Sequence, residues 1–321
     1  MEKVESKHNY GWGRSPKFAV KQAFQDYYRG SKETIDTRVT KFNDFLKFSR
    51  AQGLGKDISK YPANHLKDYA ADVARRFHNG DMTGKTHVEK ASYAHNLISN
   101  VNMAYEAMTG KNPGLSPVKE LGVSRSNIRE TVPTGLNTNQ VKSVSDQLAA
   151  DHPRTAATIA IERYLGLRAR EAALMNCKVA LRQAEKHGYV NVTEGTKGGR
   201  GNHIDRYVPV TKPEQLEALR QAAAVQGNGR NLIEPSKSWI SHYEHNRYVL
   251  NQYQGEIDKQ HDLRAAYACQ RYEELSGCKA PVCREAEDPK PGREADRNAR
   301  MTISKELGHN RIDVTNSYLG R

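Results

Sequence analysis

Tyr189-Val190-Asn191-Val192-Thr193-Glu194 alternates in character, Gly195-Thr196-Lys197-Gly198-Gly199 follows as a glycine-rich turn, and Tyr207-Val208-Pro209-Val210 resumes the pattern. Side chains on a strand point to opposite faces in turn, so this stretch predicts a β-hairpin. It is the one β-like segment. Wherever else the chain is periodic, apolar residues recur at three- and four-residue steps, the period of an amphipathic helix. The contrast predicts a mainly α chain with a single small β-element.

Working outward, helices are expected from Thr138 to about Ala150, from Pro153 to Leu165 and from about Ala169 to Asn176, with Gly166 breaking the second. Beyond the hairpin, they are expected at 213–225, 261–275, 297–307 and 312–318. Residues 276–296 hold many charges, three prolines and two glycines, and read as an exposed insertion loop. Upstream lies a helical bundle. Its members are 16–29 (Phe18, Phe24, Tyr28), Ser31–Gln52 (Ile35, Val39, Phe42, Leu46) and Pro62–His78 (Leu66, Tyr69, Val73, Phe77), with Pro62 in the first turn. A fourth helix opens on the capping box Thr86-His87-Val88-Glu89 and stops at Gly110. The expected division is an extension at 1–30, a bundle at 31–112, a linker at 113–137 with Pro113, Gly114, Pro117, Pro133 and Gly135, and a second domain at 138–321.

The chain has 321 residues and 50 Lys plus Arg against 37 Asp plus Glu, a formal charge of +13. Such an excess attracts polyanions, nucleic acid first among them. The polar start Met1-Glu2-Lys3-Val4-Glu5 lacks the apolar run of a signal peptide, and no stretch reaches the roughly 20 apolar residues that span a bilayer. The expectation is a soluble, cytoplasmic protein. Cys177, Cys269, Cys278 and Cys283 read as free thiols in a reducing compartment, since no second pair stands at metal spacing.

The polar residues that carry chemistry gain weight from their joint order. Arg168 follows the break at Gly166. Lys197 sits at the hairpin tip. His261 and Arg264 share one helical face. His309 follows Gly308 at a helix end, and Tyr318 stands nine residues later. The set offers two guanidiniums, an ammonium, two imidazoles and a phenol, without a carboxylate cluster to hold a catalytic metal. A phosphodiester under attack accumulates negative charge on its non-bridging oxygens, and two arginine forks can bind those oxygens with paired hydrogen bonds. A phenol is a suitable nucleophile, because phenolate (pKa about 10) can also leave again.

Gly166-Leu167-Arg168 with Glu171, the Thr196-Lys197-Gly198-Gly199 turn, His261-x-Leu263-Arg264 and Leu307-Gly308-His309 with Tyr318 resemble, in order, the motif series of tyrosine recombinases of the phage-integrase family. The upstream bundle resembles that family's core-binding (SAM-like) domain. The resemblance implies a site-specific recombinase that works through a 3′-phosphotyrosine without metal, nucleotide or cofactor. In it Arg168 and Arg264 clamp the phosphate, Lys197 is the general acid, His261 and His309 assist proton transfer, and Tyr318 attacks. Glu171 supports the first arginine, or else forms an ordinary helix salt bridge. The implied partner is double-stranded DNA held in a C-shaped clamp, with assembly to a tetramer on DNA and room for accessory DNA-bending or directionality proteins. DNA contacts are expected from Lys85, His87, Lys90, Tyr93 and Asn96 on the capped helix, and from Arg200 and Arg206 by the hairpin. Tyr318 lies three residues from the end, where many relatives continue, so neighbours are expected to be tethered by this short end or by another surface. Two other classes stay open: a DNA-binding protein without catalysis, and a type IB topoisomerase-like relaxing enzyme.

Overall fold

The computed structural model describes residues 8–28, 31–84, 86–196 and 205–321. Lys85, Lys197 and Arg200, named above, lie outside them. The chain is mainly α with one two-stranded sheet, and it divides into two compact units, Met1–Ser126 and Asn127–Arg321.

The first unit contains α1 (Pro16–Tyr28), α2 (Lys32–Ala51), α3 (His65–His78), α4 (His87–Thr109) and α5 (Pro117–Leu121). Caps fix the ends. Ser31 Oγ accepts from the Thr34 amide at 3.3 Å, and Thr86 and Glu89 form a reciprocal capping box on α4. α3 starts later than expected: Pro62 stays outside it, and its carbonyl accepts from the His65 amide. The core is aromatic. Phe45 packs against Phe42 at 5.3 Å and edge-on to Tyr69 at 5.1 Å, and all three are fully buried.

Two segments read as peripheral in the sequence are integral to this unit. Val20, Ala23 and Phe24 of α1 are fully buried, so α1 is part of the bundle and not an extension. The front of the 113–137 stretch is also held. Leu121 is in the core, and Asn102 exchanges two hydrogen bonds with the Leu115 backbone.

The second unit contains α6 (Thr138–Leu148), α7 (Pro153–Leu165), α8 (Ala169–Leu174), α9 (Cys177–His187), β1 (Tyr189–Asn191), β2 (Tyr207–Pro209), α10 (Pro213–Gln226), α11 (Trp239–Leu250), α12 (Gln260–Ser276), α13 (Arg293–Glu306) and α14 (Asn316–Leu319). α7 is buried along most of its length and packs against α6, α10 and α12. β1 and β2 pair antiparallel with Val190 opposite Val208. The strands are shorter than the alternation suggested. The ladder extends only by single bonds, Val192 N to Arg206 O and Val210 N to Gly188 O. Gly195 (φ +71°) then carries the backbone so close to α8 that an added Cβ would lie 2.6 Å from the Arg170 carbonyl oxygen.

The 276–296 stretch is not a free loop. Ala280 is buried, the Tyr272 hydroxyl donates to Asp296, and α13 begins at Arg293. An added Cβ on Gly320 would lie 3.0 Å from the Val282 Cβ, so this stretch backs the C-terminal turn. No helix among the described residues is long and apolar enough to cross a membrane.

Candidate active site

Four pieces of the second unit meet: the α7–α8 corner, the first turns of α12, the end of α13 and α14. The corner depends on Gly166. Its φ is +62°, and a Cβ there would lie 2.3 Å from the Tyr267 ring, so neither the backbone angle nor the space admits a side chain. The corner points Arg168 inward. The Arg168 amide donates to Glu171 Oε2 at 2.8 Å and its Nη1 to Glu171 Oε1 at 2.5 Å.

Arg264 on α12 is fully buried. Its Nη1 donates to the Gly166 carbonyl at 2.5 Å, its Nη2 to the Leu307 carbonyl at 2.6 Å, and its Nε to the Tyr318 hydroxyl at 3.2 Å. The guanidinium also faces the Tyr318 ring at 5.5 Å. Three hydrogen bonds from one planar fork leave it a single orientation.

α13 ends at Glu306 and is capped by Leu307, and Gly308, with a φ of +70°, turns the chain to present His309. The Nε2 of His309 lies 3.1 Å from the Tyr318 hydroxyl, 3.3 Å from Arg168 Nη2 and 3.5 Å from Arg264 Nη2. Two of these neighbours can only donate, so Nε2 must be an unprotonated acceptor, and the proton of the imidazole belongs on Nδ1. Burial, then Arg264, Arg168 and Arg206, holds the imidazole down to about 3. The Tyr318 oxygen accepts from Arg264, so its own hydrogen is free to point at His309. His261 contributes its ring, 5.5 Å from that of Tyr318 and exposed on one edge. Burial, with Arg264 and Arg129, pushes its pKa below the ordinary value.

Tyr318 itself is 3% exposed and fastened on every side. Its carbonyl accepts from Cys269 Sγ, the Arg129 amide donates to the Asn316 carbonyl, and Arg300 reaches both the Asn316 side chain and the Gly320 carbonyl. Arg129 and Arg300 hold the tail, and nothing in the sequence singled them out.

Residues 124–270 match the family model described as Integrase. The match lies almost wholly in the second unit. No curated protein matches the chain in sequence. Among solved structures, it is similar to a lambda integrase fragment (residues 75–356), a dimer bound to a COC′ core site, at 14% identity and a TM-score of 0.57 over 94% of each chain. It is similar to a lambda integrase tetramer bound to a Holliday junction at 15% identity and a TM-score of 0.54, over 92% of this chain and 76% of that one. The Tn1549 transposon integrase in complex with transposon right end DNA gives 12% identity and 0.54, over 94% and 95%. These likenesses describe the fold.

Within the second unit, Arg168, Glu171, His261, Arg264, His309 and Tyr318 are brought together, while Lys197 lies outside the described residues. Glu171 is fully buried and touches three guanidiniums: Arg168, Arg206 at 2.9 Å and Arg264 at 3.4 Å. Burial alone would raise its carboxyl, but Arg206, then Arg264 and Arg168, bring it down to about 2. Arg206 corrects the sequence reading. It is only 6% exposed, its Nε donates to the Glu306 carbonyl at 2.7 Å, and it faces the site's carboxylate and not solvent. A signal for this was present, because a period of two places Arg206 on the same side of β2 as the fully buried Val208.

The candidates of α4 are more mixed. His87 is exposed beside Phe77, Lys90 Nζ donates to the Gly80 carbonyl, Tyr93 packs half-buried on the core, and Asn96 accepts from Arg125. Among the described residues, no three His, Cys, Asp or Glu side chains gather to hold a metal ion.

Proposed function

We propose that this protein is a tyrosine recombinase of the integrase family, a site-specific DNA recombinase that breaks and rejoins strands through a 3′-phosphotyrosine at Tyr318. The observation that carries the reading is the Tyr318 hydroxyl, which lies in its own chain within hydrogen-bond reach of Arg264 Nε and His309 Nε2. That pairing sets a proton acceptor on one side of the nucleophilic oxygen and a fixed cation on the other.

In the proposed step, the Tyr318 oxygen attacks phosphorus, and its proton passes to His309 Nε2. Arg168 and Arg264 bind the non-bridging oxygens. The P–O5′ bond breaks, and the departing oxygen takes a proton from Lys197, a role carried over from the family pattern. Attack by the free 5′ hydroxyl of another strand on the phosphotyrosine reverses these transfers, so rejoining needs no nucleotide. The DNA-bound lambda and Tn1549 integrases of similar fold support duplex DNA as the partner, and the lambda tetramer on a Holliday junction supports assembly of four copies. His87, Lys90, Tyr93 and Asn96 on α4, together with Lys85 and Arg200, are proposed to meet the DNA backbone. The basic balance of the chain favours a soluble, DNA-associated protein in the cytoplasm.

A nicked suicide substrate, which loses the 5′ hydroxyl needed for rejoining, tests the reading. The wild type should accumulate a covalent adduct that maps to Tyr318. Tyr318→Phe should bind the same DNA and form none. An adduct in the Phe variant would sink the assignment.

A further inference from the structure

We infer that Arg206 is a positioning residue of the cleavage site, acting through Glu171 and the turn that carries His309. The inference rests on the proposed reaction at Tyr318.

The first observation is a buried charge balance. Glu171 is fully buried, and a carboxylate there is costly unless cations surround it. Arg168 and Arg264 surround it, but both are proposed to serve the phosphate, and each hydrogen bond to Glu171 orients a guanidinium that must also face substrate. Arg206 has no such second duty. It is the foremost of the three cations that hold Glu171 ionised. With it, three guanidiniums and one carboxylate leave a net charge of +2 beside neutral His309 and Tyr318. That matches the second negative charge a phosphodiester gains as it becomes pentacoordinate. Without Arg206 the balance is +1.

The second observation is mechanical. Arg206 Nε donates to the carbonyl of Glu306, the last residue of α13. Its Cδ lies where a Cβ on Gly308 would come within 2.9 Å, so the Gly308 turn is moulded around the Arg206 stem. The Arg206 carbonyl in turn accepts from Val192, and its amide donates to the Asn191 side chain. One residue therefore links the strand end at Asn191 and Val192 to Glu171 and to the turn presenting His309. Its Nη1 contact with Glu171 is close without being a well-aligned hydrogen bond, so charge dominates it.

The experiment compares the wild type, Arg206→Met, Glu171→Gln and the double variant. It reads the rate of adduct formation in the bound complex, the DNA affinity against salt, and the urea midpoint. The expected result is an adduct rate about a hundredfold lower in Arg206→Met, the scale of losing one preorganised donor. DNA affinity should stay within about threefold, and the salt slope should not change. In the Glu171→Gln background the same change should cost under about fivefold, since residues that act as a unit are not additive. The acid limb of the Arg206→Met pH–rate profile should also move up, because Glu171 then protonates more readily.

Weaker DNA binding with a salt slope reduced by about one, at an unchanged rate in the bound complex, would make Arg206 a phosphate contact and overturn the inference. So would a full hundredfold loss in the Glu171→Gln background. If Arg206→Met does not fold, Arg206→Lys takes its place. That variant keeps a cation but loses the planar fork, and it should slow the adduct step by about tenfold. A wild-type rate in a folded Lys variant would equally overturn the inference. Absence of an adduct in the wild type would instead reject the proposed reaction at Tyr318.

Discussion

The two units solve the problem of a stable core in different ways. Among the described residues, the buried polar groups of the first unit are Asn9, Ser49, His65, His95, Asn100 and Asn102, and its bulk is Phe24, Phe42, Phe45, Tyr69 and Phe77. Alanine is the commonest buried apolar type among the described residues of the second unit, which also holds Glu162, Arg163, Glu171, Arg206, Arg264, Arg300 and Glu306 buried. Apolar burial stabilises without directing much, whereas a buried ion is costly unless every partner is in place. The first unit spends its interior on stability. The second gives up part of its interior to fix the orientation of a few guanidiniums.

The two tryptophans, Trp12 and Trp239, fall one in each unit, so Trp239→Phe and Trp12→Phe give fluorescence probes of the first and second unit respectively. The largest expected effect is from Phe45→Ala. It removes a fully buried ring that contacts Phe42 and Tyr69 and should cost about 3–5 kcal/mol. The Trp12 signal should move to lower urea and the Trp239 signal should not. Equal movement of both would break the distinction.

Acid comes next and should act the other way round. Burial holds His242, His245, His261 and His309 of the second unit below their ordinary value, against His65 in the first. A histidine whose folded pKa lies below 6.5 stays neutral while the unfolded chain takes up the proton. Its share of stability is therefore lost as the pH falls below 6.5. Glu162 has the opposite sign, since burial raises its carboxyl and the folded state keeps that proton. It is one group against four. Between pH 7.5 and 5.5 the urea midpoint reported by Trp239 should fall more than that reported by Trp12, and the reverse order would contradict this account. The smallest effect sharpens the picture. Thr86→Ala removes the α4 capping box and should cost about 1 kcal/mol, seen through Trp12 alone.

The same contrast explains what the sequence revealed. The helices of the first unit were legible because aromatic and aliphatic side chains mark their buried faces. Two helices of the second unit were not. α9 buries only Cys177, Ala180 and Ala184, and Lys178, Arg182 and Lys186 hide the period. α11 buries His242 and Asn246 with Val249 and Leu250, so half of its inner face reads as polar. In the site, motif order pointed to Arg168, Glu171, His261, Arg264, His309 and Tyr318, because each sits at a turn or a helix end with a local signature. Arg206 was misread because an arginine beside a glycine-rich turn looks solvent-facing until its burial partner is known. That partner, Glu171, lies 35 positions earlier.

The fastening of the last turn has a consequence for any multi-copy assembly. Arg129, Arg300 and Cys269 grip the backbone around Tyr318, so in this arrangement each copy carries its own phenol docked against Arg264 and His309. On the reaction proposed for Tyr318, the number of working centres would equal the number of intact chains. On the proposed reaction, a copy lacking the phenol would not be rescued by a neighbour, and a single defective member would silence one strand cut while leaving the others to proceed.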